Sequence, residues 1–259
     1  MAELFGLNAR HALVTGASSG LGRHFAGVLA AAGARVSVAA RRDAALAQTV
    51  LAVRSSGRTS GAQVQSIRMD VTNAGSVEQG FAEAEAQFGP VGILVNNAGV
   101  TGTRAALDVA ESDWSRVIDT NLKGSWLVAQ HAARRMVAHG VGGSIINIAS
   151  ILGLRVAGSV APYAISKAGV VQMTKALALE WARHKIRVNA LAPGYIETEL
   201  NAAFFASDAG KALIHRIPQR RLGEARELDG ALLLLASDAG SYMTGCVIAV
   251  DGGHLVSGL

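Results

Sequence analysis

The chain has 259 residues, 50% of them hydrophobic and 17% charged, enough apolar surface for one sizeable core and too little charge for a disordered chain. Its single cysteine, Cys246, excludes an intramolecular disulfide and fits a reducing compartment, and no apolar run approaches the ~18 residues of a membrane span. The net charge of +5 raises a nucleic-acid reading, but the arginine pairs at 41–42, 134–135 and 220–221 sit in no DNA- or RNA-binding motif, and aromatic residues are few. A small anionic ligand is the more economical partner.

The start, MAELFGLNARH, lacks the apolar stretch of a signal peptide, so the expected location is the cytoplasm. HALVT (11–15) reads as the first strand, and TGASSGLG (15–22) leads from it into a helix near 20–32. RVSVAA (35–40) is the second strand, followed by a helix near 43–57. VQSIRMD (64–70) and VGILVNN (91–97) are the third and fourth, with a helix near 74–88 between them. A helix near 111–139 precedes SIINIAS (144–150), and one near 161–184 precedes IRVNALAP (186–193). The stretch 194–223 is neither a strand nor one long helix and reads as an inserted lid. A helix near 224–238 and the strand CVIAVD (246–251) close the chain.

The strands are rich in Val and Ile, as expected of strands covered on both faces. The alternation predicts an α/β fold with one domain: a Rossmann-like, doubly wound parallel sheet of about seven strands with helices on both faces. Ligands of such sheets sit beyond the carboxyl ends of the strands. No Cys, His or Asp group has metal-ligand spacing, so no metal is expected.

In TGASSGLG, glycines at 16, 20 and 22 let backbone N–H groups approach a ligand, and the helix N-terminus favours a pyrophosphate. The spacing Gly-x-x-x-Gly-x-Gly differs from the Gly-x-Gly-x-x-Gly of most dinucleotide folds. In order after it come Asp70, NNAG (96–99), Asn121 in TNLKG, Ser150, Tyr163 and Lys167 in YAISK, Pro193-Gly194 and DGG (251–253). Across essentially the whole chain this series resembles the short-chain dehydrogenase/reductase family.

The resemblance implies a hydride transfer between a nicotinamide cofactor and a ketone or secondary alcohol, with the pro-S hydride moving. It assigns cofactor binding to Gly16, Ser18, Ser19, Gly20, Leu21 and Gly22, to Asp70 and Val71 around the adenine, and to Asn97, Ala98 and Gly99 beside the ribose; Asn96 reads as structural. Pro193, Gly194, Ile196 and Thr198 would meet the nicotinamide, and Tyr163 and Lys167 would also face the cofactor. At the end of the second strand, where NAD enzymes carry an acid, Arg41 and Arg42 stand instead. Arginine forks suit a 2′-phosphate, so NADP(H) is preferred, with NAD(H) possible; the plainer reading is two solvated arginines.

Tyr163 and Lys167 lie four apart, on one helix face. The resemblance makes Tyr163 the general acid/base, with Ser150 holding the substrate oxygen and Lys167 holding the ribose. An ammonium ~4 Å away at an effective dielectric of ~20 is worth roughly 4 kcal/mol, about three pKa units off a phenol. Asn121 would bind a water linking Lys167 to solvent; the alternative is a helix irregularity satisfied locally.

Ile151, Leu152, Val156, Ala157 and Tyr195, with Phe204, Phe205, Leu213 and Ile214 of the lid, predict a small-molecule carbonyl or alcohol substrate that is largely apolar. His215, Arg216, Arg220 and Arg221 would greet a carboxylate or form a solvated rim. A 3-oxoacyl thioester reductase acting on a carrier-bound chain is the alternative enzyme. A non-catalytic dinucleotide sensor is the rival outside enzymes, although Ser150, Tyr163 and Lys167 are all present. Neither nucleic acid nor membrane is an expected partner, and the resemblance implies a homotetramer.

Overall fold

A computed structural model of the protein describes residues 2–56, 61–198 and 202–257. Seven strands run parallel in one sheet: β1 (His11–Thr15), β2 (Arg35–Ala40), β3 (Val64–Arg68), β4 (Ile93–Asn96), β5 (Gly143–Ile148), β6 (Ile186–Pro193) and β7 (Val247–Val250). Their order is β3-β2-β1-β4-β5-β6-β7, so the direction of winding reverses between β1 and β4. Helices α1 (Ala2–Phe5), α2 (Gly20–Ala31), α3 (Asp43–Ser55), α4 (Ala74–Phe88) and α5 (Glu111–Ile118) precede β5 together with α6 (Gly124–His139). Helices α7 (Ala161–Trp181), α8 (Ala202–Ala206), α9 (Asp208–Ile214) and α10 (Asp229–Ala236) follow it.

Alternate residues of each strand face opposite sides of a sheet, and here both sides are apolar. Leu13 and Ile145 pack towards Phe81, Met136 and Val170 of α4, α6 and α7. Their neighbours Val14 and Ile146 pack the other way, against Phe25, Leu46 and Leu232 of α2, α3 and α10. The fold is therefore the Rossmann-like doubly wound sheet.

Several boundaries differ from those read in the sequence. β3 stops at Arg68 because Asp70 takes part in a turn with Thr72. The segment read as one helix over 111–139 is α5, a π-helical turn at Asp119–Lys123, and α6. α7 ends at Trp181, followed by a 3-10 turn and Lys185 in the left-handed region at φ 59°. The helix read from 224 begins as a 3-10 turn at Ala225–Leu228, with Glu224 and Glu227 capping each other's backbone, before α10. Within 194–223 stand α8 and α9, with Ser207 capping α9. Residue 57 of the expected second helix, and 199–201 of the expected lid, lie outside the described residues.

Candidate active site

The turn after β1 packs against the turn after β4. A Cβ on Gly16, whose φ is +65°, would lie 2.8 Å from Ala98 Cα, and one on Gly22 would lie 2.4 Å from the Gly16 carbonyl oxygen and 2.6 Å from Asn97 Nδ2. A Cβ on Gly20, at φ +52°, would meet nothing within 4 Å. The ligand access expected of all three glycines is therefore divided. Gly16 and Gly22 let the two turns close together, and Gly20 opens to solvent at the start of α2. Ser19 precedes α2 in extended backbone and gives it no side-chain cap, which leaves the N–H groups of the first turn for a ligand. Leu21 faces the core instead.

Arg42 reaches back over this turn, donating to Ser18 Oγ at 2.9 Å and to Ser19 Oγ at 3.5 Å. Arg41 is exposed and lies within electrostatic reach of Asp70. Burial pushes the Asp70 carboxyl up, but bonds from the Thr72 amide and hydroxyl, together with the Arg41 charge, outweigh it and hold the group below its ordinary value. Val71 is buried under the start of α6.

Thr15, which sequence reasoning missed, joins the two turns: its hydroxyl oxygen accepts from the Asn97 and Ala98 amides, both at 3.0 Å. Asn97 Nδ2 donates to the Thr15 carbonyl at 2.9 Å, so this side chain is structural as well as placed for a ribose. Asn96 is structural throughout, its amide bonded to the Ser125 carbonyl and to Asn147. The signal for Thr15 was a hydroxyl residue closing a strand directly before a glycine loop.

Ser150, Tyr163, Lys167 and Asn121 come together beyond β4 and β5. The Ser150 hydroxyl oxygen accepts from the Leu152 amide at 3.1 Å, which fixes it within hydrogen-bonding range of the Tyr163 phenol. Lys167, 5% exposed, donates from Nζ to the Ile148 carbonyl at 2.7 Å and lies 5.7 Å from the Tyr163 ring centre. A Cβ on Gly99 would come within 3.6 Å of Lys167 Nζ and 3.3 Å of Asn121 Oδ1, so the turn after β4 runs close over both.

Burial pushes the Tyr163 phenol up; the Ser150 hydroxyl opposes this and nearby Tyr195 adds to it. Burial lowers the Lys167 ammonium to about 8. Within the chain itself, burial is the largest influence on both groups. Asn121 lies in the π turn, fully buried; its side chain accepts from the Val100 amide at 2.7 Å and donates to the Val100 carbonyl at 2.9 Å and Ser166 at 3.0 Å. The helix irregularity is thus satisfied by its neighbours, and it ties the turn after β4 to α7.

Pro193 ends β6, and a Cβ on Gly194 would lie 2.7 Å from Asp251 Cα, so this turn packs on the one after β7. Ile196 is buried and bridges to Gly223, which closes the two ends of the 194–223 stretch on each other. Thr198 is the last described residue before 199. Of the rim candidates, Arg221 is held by Glu227 in two bonds of 2.7 and 2.6 Å. His215, Arg216 and Arg220 are exposed.

The model of a family described as enoyl-(acyl carrier protein) reductase matches residues 16–254. The gluconate 5-dehydrogenase of Gluconobacter oxydans is 36% identical over 256 residues, with 98% of each chain covered. A short-chain type dehydrogenase/reductase from Mycobacterium marinum is 42% identical and superposes with a TM-score of 0.91 over 97% of this chain and 98% of its own. The chain belongs to the short-chain dehydrogenase/reductase family. Another member of known structure, a gluconate 5-dehydrogenase from Burkholderia cenocepacia in complex with NADP and tartrate, superposes with a TM-score of 0.93 at 37% identity, covering 99% of both chains. In this short-chain dehydrogenase/reductase, no group of three His, Cys, Asp or Glu among the described residues could hold a metal ion, and no described helix is long and apolar enough to cross a membrane.

Proposed function

We propose that the protein interconverts a ketone and a secondary alcohol with NADP(H), Tyr163 carrying the proton. The observation that carries this reading is the convergence of Ser150, Tyr163 and Lys167 at the carboxyl ends of β4 and β5. The residues present fit the cofactor: an uncapped helix N-terminus for the pyrophosphate, with Ser18, Ser19, Arg41 and Arg42 for a 2′-phosphate. Asp70 and Val71 would bracket the adenine, Asn97 to Gly99 the ribose, and Ile196 and Thr198 the nicotinamide. When bound, NADP(H) supplies or accepts the hydride; NAD(H) is the weaker alternative.

Ser150 holds the substrate oxygen with the hydroxyl proton that the Leu152 bond leaves free. Tyr163, whose phenol burial pushes above its ordinary value, donates its phenolic proton to that oxygen as the carbonyl is reduced. Lys167 places a positive charge beside the phenolate this leaves, and Asn121 fixes the neighbouring backbone. The stretch 194–223 acts as the substrate lid of a single catalytic domain. Phe204 meets Phe205 edge-on with ring centres 5.1 Å apart, and Phe205 meets Tyr195 edge-on at 5.7 Å, a wall suited to the carbon chain of a largely apolar substrate. A homotetramer in the cytoplasm completes the proposal; sedimentation equilibrium measures the assembly and cell fractionation the location.

The test follows NADPH absorbance with apolar, cyclic, sugar-like and 3-oxoacyl ketones. Tyr163→Phe is expected to lose about 10²–10⁴-fold in kcat while still binding NADPH. Arg42→Ala is expected to weaken NADPH use about 10- to 100-fold and leave NADH use unchanged. Turnover that survives Tyr163→Phe, or faster wild-type turnover with NADH, overturns the respective part.

A further inference from the structure

The turn after β7 holds a histidine with an unanswered nitrogen. His254 is 4% exposed, and its Nδ1 has no hydrogen-bond partner among the described residues. A buried polar atom left unpaired is costly, and a bond to a ligand would satisfy it. The turn that presents it is firmly built. Asp251 accepts from the Gly253 amide at 2.9 Å and the Leu255 amide at 2.5 Å, so both of its carboxylate oxygens are occupied by backbone.

Two arginines and one carboxylate lie within electrostatic reach of the ring. Arg155, half-buried in the loop after Ser150, donates to the His254 carbonyl and, at 3.3 Å, to the Ser257 hydroxyl. No carboxylate pairs with it among the described residues, and a half-buried guanidinium without an anion is an incomplete arrangement. Burial lowers the His254 pKa, Arg155 and the exposed Arg216 push the same way, and Asp251 opposes them; the imidazole is neutral at neutral pH. Its ring lies 5.4 Å from that of Tyr195, and Tyr195 is within electrostatic reach of both Arg155 and Tyr163. A line of polar groups therefore runs from the proton donor to the arginine.

We propose that Arg155 and His254 bind a carboxylate at the end of the substrate remote from the reacting carbon, so that the enzyme takes an oxo-acid or hydroxy-acid. A guanidinium and an imidazole N–H together match the two oxygens of a carboxylate. The aromatic wall of Tyr195, Phe204 and Phe205 then covers the carbon chain between the two ends. This inference rests on the ketone–alcohol reading of the site.

The test compares wild type, Arg155→Gln and His254→Phe, with thermal melts to establish folding. The substrates are levulinate and 6-oxoheptanoate, each beside its primary amide, with NADPH. Each variant is expected to raise KM for the acids about 10- to 100-fold with kcat kept, and to leave the amides within about twofold. Calorimetric titration of the NADP-loaded protein with glutarate, which cannot react, is expected to show the same loss of affinity. Equal effects on acids and amides, or glutarate that ignores both wild type and variants or binds all three alike, overturn the subsite. Absence of turnover on every ketone with glutarate binding lost in the variants supports the subsite and overturns the ketone reading instead.

Discussion

Lys167 carries its ammonium 2.7 Å from the Ile148 carbonyl, and among the described residues no carboxylate pairs with it. The drop of its pKa from 10.5 to about 8 corresponds to roughly 3 kcal/mol of unfavourable burial at neutral pH, where the amine is still protonated. Lys167→Met is therefore expected to stabilise the fold by about 1–3 kcal/mol at pH 7 while activity is lost, the usual opposition between stability and function. The pH dependence has a definite sign. Between about 8 and the unfolded value of 10.5 the unfolded chain binds the extra proton, so stability rises with pH in that window. The Met variant loses that rise, and thermal melts at pH 7 and 9 check both statements; a less stable variant at pH 7 would refute them. At this scale the sequence made the chemical centre readable, because Ser150 stands just beyond the end of a strand and Tyr163 and Lys167 share a helix face. It did not reveal His254 or the pairing of Arg155, since an unpaired nitrogen is a property of what surrounds it. Arg221 looked free for a ligand for the same reason, its partner Glu227 standing on the next turn of chain.

The turns at the carboxyl edge of the sheet separate two uses of glycine. Gly16 and Gly20 both adopt positive φ, but only Gly16 touches its neighbours. Alanine at either is expected to cost about 1–2 kcal/mol for the left-handed backbone, and at Gly16 about 1–3 kcal/mol more for the clash with Ala98. Urea unfolding of Gly16→Ala and Gly20→Ala checks the difference, and equal losses would show that the two turns yield to the added methyl. Helix and strand positions were legible from apolar spacing, whereas their ends were not. Periodicity continues through the π turn at Asp119–Lys123 because α5 and α6 keep their apolar faces on the same side. What breaks the helix there is Asn121 bonding to Val100, a contact 21 residues away in sequence.

Over the whole molecule, the parallel order was readable because both faces of nearly every strand are apolar. Assembly was not, since an outward apolar residue and a core residue look alike in a sequence. Trp126 and Val137 on α6 and Leu179 on α7 are 41, 45 and 84% exposed, a surface that a second copy would cover. Leu179→Asp is expected to shift the proposed tetramer to smaller species with its secondary structure intact; wild type sedimenting as one chain would refute the tetramer. The strand order also governs how the chain comes together during synthesis. β1 takes β2 on one side but must wait for β4 on the other, the pairing of Ala12 with Ile93. After β4 each strand lies beside its predecessor, so the second half of the sheet grows in the order it is made. Until Gly143 opens β5, the edge formed by Ile93, Leu94 and Val95 has no neighbour, and a nascent chain paused there exposes its stickiest strand to its fellows.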